Sequence, residues 1–520
     1  MGTQPRDGPH AVLLLLSDGR SARGGLRVAI GRGAIVACLC LGAGHASAQE
    51  AAELRSDLET LRSSLARIIE DPALERAHVG LMVQKAESGE VLFEHAAERR
   101  FIPASTTKLV TAAVAVAHLE PDFRWETRIV AAGPVSAGTL QGDLWVVGDG
   151  APDLSVQELE RIPDTLRGAG IERIDGDLIG DDRVFSGPQW GAGWMWDDLF
   201  GGSAAGVSGL QLSPNRISAV LEPGVLGEPA TLVLPRGVPP LPIRTEVLTG
   251  APGSETRIAF IPDPDDERVV LSGWIPAGAE SVPMLLAPPH PTHYLLDRLA
   301  ALLDAGGIEV SGRPRRASDG ENPAAASWST TIRSRPFEAV LAGLLKRSDN
   351  QIAETLLRTL GREAGDGGSA AEGLAVIEST LEAWGIEPGA IRLTDGSGLS
   401  RYNEIAPAAL NRLLRRSRQL PGYDAFRAAL PVGGVDGTLS RRFRGTEANR
   451  NVRAKTGSLS GVRGLAGFVT DGDGEIIVFT LLLNGYDVPG DVATALEDLL
   501  IEQLALYHGP DYPERRGSRP

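Results

Sequence analysis

Ser105 and Lys108 stand three apart in FIPASTTKLV (101–110), after a proline and before a run of small apolar residues. Residues i and i+3 share a helix face, so this spacing puts the lysine amine beside the serine hydroxyl. A serine in the first helical turn would face free backbone N–H groups and the positive end of the helix dipole, where a tetrahedral oxyanion is stabilised. A lysine in an apolar pocket, or beside another cation, gives up its proton near neutrality and serves as general base. Taken alone, the pair also reads as a serine N-cap followed by a surface lysine.

Two further fragments supply what such a nucleophile would need. LLKRSDNQIAE places Ser348, Asp349 and Asn350 in or beside a helix, after a strongly apolar stretch. VRAKTGS sets Lys455, Thr456, Gly457 and Ser458 on a predicted strand. A cation there can hold a substrate carboxylate, and the glycine permits close backbone approach. Singly, these read as a helix interruption and a strand with a decorative lysine. Jointly, S-x-x-K, S-D-N and K-T-G occur in that order, each on the element its chemistry demands. The trio is the active-site signature of class A β-lactamases and penicillin-binding proteins.

Other candidates carry less. G-x-S-x-G and H-E-x-x-H are both absent, which removes the α/β-hydrolase elbow and the zinc-peptidase helix. His290 and His293 in PPHPTH read as solvated imidazoles in a proline-rich loop, and Asp181-Asp182 as a turn rather than a cation site. Asp395 and Ser397 in TDGSGLS are expected to shape a turn near the cleft. Trp190, Trp194 and Trp196 are expected to serve packing. No metal and no cofactor is called for.

Composition narrows the class. The chain has 520 residues and a formal net charge of −16, which disfavours nucleic acid and anionic membrane surfaces as partners. Arg20, Arg23, Arg27 and Arg32 precede a short apolar stretch (34–44) and an A-x-A site at Ala46-Ser47-Ala48. This reads as a secretory signal over 1–48, cut after Ala48, with an h-region too short to span a bilayer. Ile35-Val36-Ala37-Cys38 loosely matches a lipoprotein box, but its apolar run follows the cysteine instead of preceding it. Both cysteines, Cys38 and Cys40, fall inside the leader, so the exported chain would hold no disulfide or thiolate. A periplasmic location without a membrane anchor is expected.

These residues need elements to hold them. Leu54, Leu58, Leu61, Leu65 and Ile68 have helical spacing, and VGLMVQKAESGEVLFEHA alternates around a Ser-Gly turn. LVTAAVAVAHL has no polar stripe and reads as a buried helix. Near the other end, VRAKTGSL, GVRGLAGFVT and EIIVFTLLLNG read as successive antiparallel strands, and VATALEDLLIEQLALY as a closing helix. Segment 124–289 is β-rich, with a smaller module nested around 218–284. The expected architecture is one α+β domain, 49–123 with 290–508, in which helices flank an antiparallel sheet. The β-rich segment is inserted into it, and a polar tail follows from 509 to 520.

The interval from Ser105 to Ser348 is more than twice that from Ser348 to Lys455, whereas a β-lactamase has no room for an inserted domain between the first two motifs. The chain resembles class C low-molecular-mass penicillin-binding proteins, the D-alanyl-D-alanine carboxypeptidase/endopeptidase family. PASTTKLVTAA, IDGDLIGDDRVFSG with the later WMWDDL, GLQLSPNRISAVLEPG, LTDGSGLSRYN and PVGGVDGTLSRRF carry the likeness; GDGAPDLS (148–155) is less glycine-rich than the family's stretch. The resemblance implies a transpeptidase/β-lactamase-like fold and a serine peptidase acting on peptidoglycan stem peptides. It implies that Ser105 is acylated, Lys108 takes its proton, Ser348 relays a proton to the leaving amine, and Asn350 orients the acyl chain and Lys108. Lys455 and Thr456 would hold the terminal carboxylate, with the N–H groups of Ser105 and Ser458 as oxyanion hole. β-Lactams would acylate the same serine. A β-lactamase and a non-catalytic peptidoglycan-binding scaffold are the alternatives.

Overall fold

The alternating segment after the first helix forms the hairpin β1 (His78–Lys85) and β2 (Val91–His95), turned at Gly89 with φ of +78°. Three strands from the far end of the chain, β3 (Arg453–Leu459), β4 (Val462–Thr470) and β5 (Ile476–Asn484), join it. The sheet order is β2-β1-β5-β4-β3, antiparallel throughout. β1 lies along β5 from His78 opposite Asn484 to Lys85 opposite Ile477, so the two ends of the chain close one sheet. The strand bearing Lys455 is its edge. The computed structural model describes residues 58–262 and 268–509. The expected leader, its cleavage site and nearly all of the polar tail lie outside them.

Apolar residues on both faces of these strands require cover on both sides. On one face α1 (Leu58–Ile69) and α6 (Gly490–Leu506) bring Leu61, Leu65, Leu500 and Leu504 onto Leu81, Val83 and Phe479. On the other face α5 (Pro407–Ser417) lies against β1, β4 and β5, and α2 (Lys108–His118), α3 (Phe337–Lys346) and α4 (Asn350–Ala364) continue the same core. Each large side chain removed from water contributes about 1.5–3 kcal/mol, so double coverage is what holds the edge strand firmly. The Ala/Val-rich α2 is buried on every side from Lys108 to Val116, as its lack of a polar stripe predicts. Among the described residues no helix is long and apolar enough to cross a membrane.

Between α2 and α3 the chain builds a mixed sheet. Its strand order is Pro314–Arg316, Leu178–Asp181, Asp143–Val147, Glu126–Ala132 and Ala326–Arg333. The helix Pro291–Ala305 packs beside it. Strands beyond the limit expected at 289, Pro314–Arg316 and Ala326–Arg333, pair into the sheet begun at Glu126. Ala326–Arg333 alternates exposed residues with the half-buried Trp328, Thr330 and Ile332, of which Trp328 and Ile332 pack against the core. From Ile217 to Leu286, two three-stranded sheets enclose a separate cluster that includes Leu221, Val247, Phe260 and Leu271.

Candidate active site

Ser105 does not cap α2. It sits inside a 3-10 turn, Ala104–Thr107, that runs into Lys108, the first residue of the helix. The tighter turn eclipses positions i and i+3, which brings the Lys108 Nζ to 3.0 Å from the Ser105 Oγ. Ala104 begins the turn with φ of +48°, a costly conformation for alanine, held by surrounding contacts. Gly457 explains part of how. A Cβ there would lie 2.6 Å from the Pro103 carbonyl oxygen and 3.2 Å from the Ser105 nitrogen. The space freed by this glycine is thus occupied by the serine turn itself, not kept open for substrate alone.

The second fragment also departs from regular geometry. Ser348 has φ of +59°, and Asp349 caps α4 by accepting from the Ile352 N–H at 3.2 Å. The reversal at Ser348 turns its hydroxyl to β3, where the Lys455 Nζ donates to it at 2.8 Å and to the Thr456 carbonyl at 2.7 Å. The Thr456 hydroxyl donates to the Thr438 Oγ1 at 2.8 Å. Asn350 directs its Oδ1 to Lys108 at 2.5 Å and its Nδ2 to the Ser203 carbonyl at 2.7 Å. A cleft of about 480 Å³ opens over Ser105, Ser348, Asn350 and Ser458, with Asp198 and Arg401 on its walls.

Both lysines are fully buried. Burial pushes Lys108 down to about 8, and the opposing pull of Asp395, Asp349 and Glu354 keeps it from falling further. Lys455 is driven well below the ordinary lysine range by burial and then by the Lys108 charge. As an ammonium, Lys108 donates one N–H to each of Ser105 Oγ, Asn350 Oδ1 and, at 2.6 Å, the Ser397 carbonyl. As a free amine it has two donors and one lone pair. Two acceptors without protons of their own, Asn350 Oδ1 and Ser397 O, keep the donors, and the lone pair is left facing the Ser105 hydroxyl.

The turn after Asp395 is where sequence reasoning saw shape and missed a function. The Asp395 carboxylate accepts six hydrogen bonds: from the backbone N–H groups of Gly398, Leu399 and Ser400, and from the side chains of Ser397, Asn403 and Trp194. These fix the Ser397 carbonyl that receives Lys108. Trp194 thus belongs to the site's support, whereas Trp196 is 47% exposed and does not pack as expected. Trp190 meets Phe200 edge to face. His290 and His293 begin the helix Pro291–Ala305 instead of lying in a loop. Asp181 and Asp182 are ion-paired, to Arg183 and Arg316. Among the described residues no group of three or more His, Cys, Asp or Glu side chains could hold a metal.

Replacing Trp194 by phenylalanine removes one donor from a fully buried carboxylate, worth about 1.5–3 kcal/mol. The Trp194→Phe variant is expected to unfold at lower denaturant by that amount and to lose several-fold in acylation rate. Urea titration and stopped-flow acylation measure the two.

Residues 61–503 match the D-Ala-D-Ala carboxypeptidase 3 (S13) family. The chain belongs to that family. It is a serine-type D-Ala-D-Ala carboxypeptidase. A D-alanyl-D-alanine carboxypeptidase of Actinomadura sp. (strain R39) is 31% identical over 88% of this chain and 86% of its own length. The crystal structure of penicillin binding protein 4 (dacB) from Haemophilus influenzae superposes with a TM-score of 0.77 at 28% identity, over 85% of this chain and 99% of that one. The same protein complexed with a novel β-lactam superposes with a TM-score of 0.74 at 26% identity, with the same coverage. The transpeptidase/β-lactamase-like fold expected from the motifs is thus the fold of this S13 peptidase.

Proposed function

We propose that this peptidase cleaves the terminal D-Ala-D-Ala bond of peptidoglycan stem peptides through an acyl-enzyme on Ser105. The Lys108–Ser105 contact supports the reading most directly: a half-buried hydroxyl lies 3.0 Å from a buried amine whose two other neighbours are obligate acceptors. Lys108 takes the hydroxyl proton as Ser105 attacks the carbonyl carbon. The N–H groups of Ser105 and Ser458 then hold the oxyanion. The proton taken by Lys108 returns by way of the Ser348 hydroxyl, which is bonded to Lys455, to the departing D-alanine amine, and Asn350 keeps Lys108 and the acyl chain in line. Lys455 and Thr456 receive the substrate carboxylate at the open sheet edge. Water attacks the ester to release the shortened peptide.

A crosslink presents the same D-amino acid carbonyl and C-terminal carboxylate, so endopeptidase cleavage of D-Ala–diaminopimelate bonds follows from the same groups. The enzyme binds penicillins, whose strained amide meets the same serine. The leader motif supports export to the periplasm. The strand pairings support a catalytic domain made of the chain before about 124 and after about 334, with 124–333 as the inserted part and the Ile217–Leu286 module nested in it.

The test is a penicillin acylation rate measured across pH, with mass spectrometry of the labelled peptide. The expected adduct is on Ser105. Because the Lys108 value is lowered, the reactive amine is present above it and lost below it. The rate should therefore rise through pH about 8 and level off, falling to about a hundredth of its plateau near pH 6. An adduct elsewhere, or a rate flat from pH 6 to 9, would remove Ser105 or Lys108 from these roles. Rapid turnover without lasting label would point to a β-lactamase instead.

A further inference from the structure

One fully buried acid near the site has no part in the mechanism above. Glu354 lies on α4, one turn after Asn350 and so on the same face. An apolar side chain at this buried position would avoid the cost of burying a carboxylate. Its Oε1 accepts the Gly396 N–H at 2.8 Å. Gly396 precedes Ser397, whose carbonyl receives the Lys108 amine, and the Gly396 carbonyl itself accepts from the Thr111 hydroxyl one turn along α2. The Glu354 Oε2 faces Arg358 Nη1 at 3.5 Å, and Arg358 is tied by its Nη2 to the Pro188 carbonyl at 2.8 Å.

We propose that Glu354 is a positioning residue for the acylation base: its carboxylate holds the 396–397 peptide that receives Lys108 and supplies negative charge behind that amine. The inference rests on Lys108 being the base. The charged groups around Lys108 are Asp395 from the turn, Asp349 and Glu354 from α4, and Lys455 across on β3. Those facing Glu354 are Asp395, Arg358 and Lys108. Burial and the Asp395 charge raise Glu354 to about 7, against the pull of Arg358, the Gly396 N–H and Lys108. Glu354 and Lys108 therefore titrate as a coupled pair close to neutrality. Losing the carboxylate charge makes protonation of Lys108 harder.

The experiment compares the pH dependence of penicillin acylation in the wild type and in Glu354→Gln. Glutamine keeps an oxygen for the Gly396 N–H, removes the charge and turns an amide NH2 towards Arg358. The acid limb is expected to move to lower pH by on the order of one unit, with a reduced plateau. A lower plateau with the limb unmoved would show that Glu354 only fills and braces the site, and would overturn the proposal. Glu354→Gln leaves Arg358 as a buried cation without its carboxylate, which can cost the fold. The double variant Glu354→Gln/Arg358→Met removes that cation too and is expected to show a displacement in the same direction. If the wild type has no limb near pH 8, the assignment of Lys108 as base fails first. A limb present in the wild type and unmoved in both variants refutes the role of Glu354 alone.

Discussion

Replacing Ser105 by alanine is expected to reduce D-alanine release from a pentapeptide to background, a loss on the order of a millionfold, and to abolish the penicillin adduct. The hydroxyl has one hydrogen-bond partner, the Lys108 amine, so its removal leaves the 3-10 turn, the β3 edge and the cap of α4 intact. The variant should fold with an unchanged unfolding midpoint and still bind the peptide non-covalently through Lys455, Thr456 and the backbone of Ser458. Activity and affinity thereby separate, which a scaffold function could not produce. D-alanine release is followed by a coupled oxidase assay and binding by calorimetry on the same preparation. Ser105→Ala with wild-type release would place the nucleophile elsewhere.

The candidate trio of motifs was legible in the sequence because each carries its own geometric demand. A serine and lysine three apart need a turn, and K-T-G needs a strand open on one side; both are found. What the sequence concealed is made by backbone. The Ser397 and Ser203 carbonyls that fix Lys108 and Asn350 could belong to any residue type, and their partners lie far off along the chain. Glu354 stood in plain view in SDNQIAE, but a glutamate on a helix usually faces water, and only the packed fold shows that this one does not. The hairpin and closing strands were readable from their apolar alternation. Ala326–Arg333 was not, since Trp328 and Ile332 alone mark its inner face, with Thr330 between them. Ser105 as a helix cap failed for a local reason: Ala104 at positive φ starts the turn one residue earlier and in a tighter form.

Lys108→Met is the change that separates the base from everything else the lysine does. Methionine matches the aliphatic stem and carries no proton to move. Loss of general-base assistance lowers acylation by about 10²–10⁴-fold. Stability moves by opposing amounts. Two acceptors, Asn350 Oδ1 and Ser397 O, lose their donor, at about 1–3 kcal/mol each. Against this, a fully buried amine no longer has to be withdrawn from water, a penalty of several kcal/mol for a charged group. These amounts are of similar size, so the unfolding midpoint is expected to stay within a few degrees of the wild type while acylation collapses. The remaining slow acylation should also lose the limb near pH 8, because the group that titrates there is gone. A Lys108→Met protein that keeps this limb would assign the base to another group of the cluster.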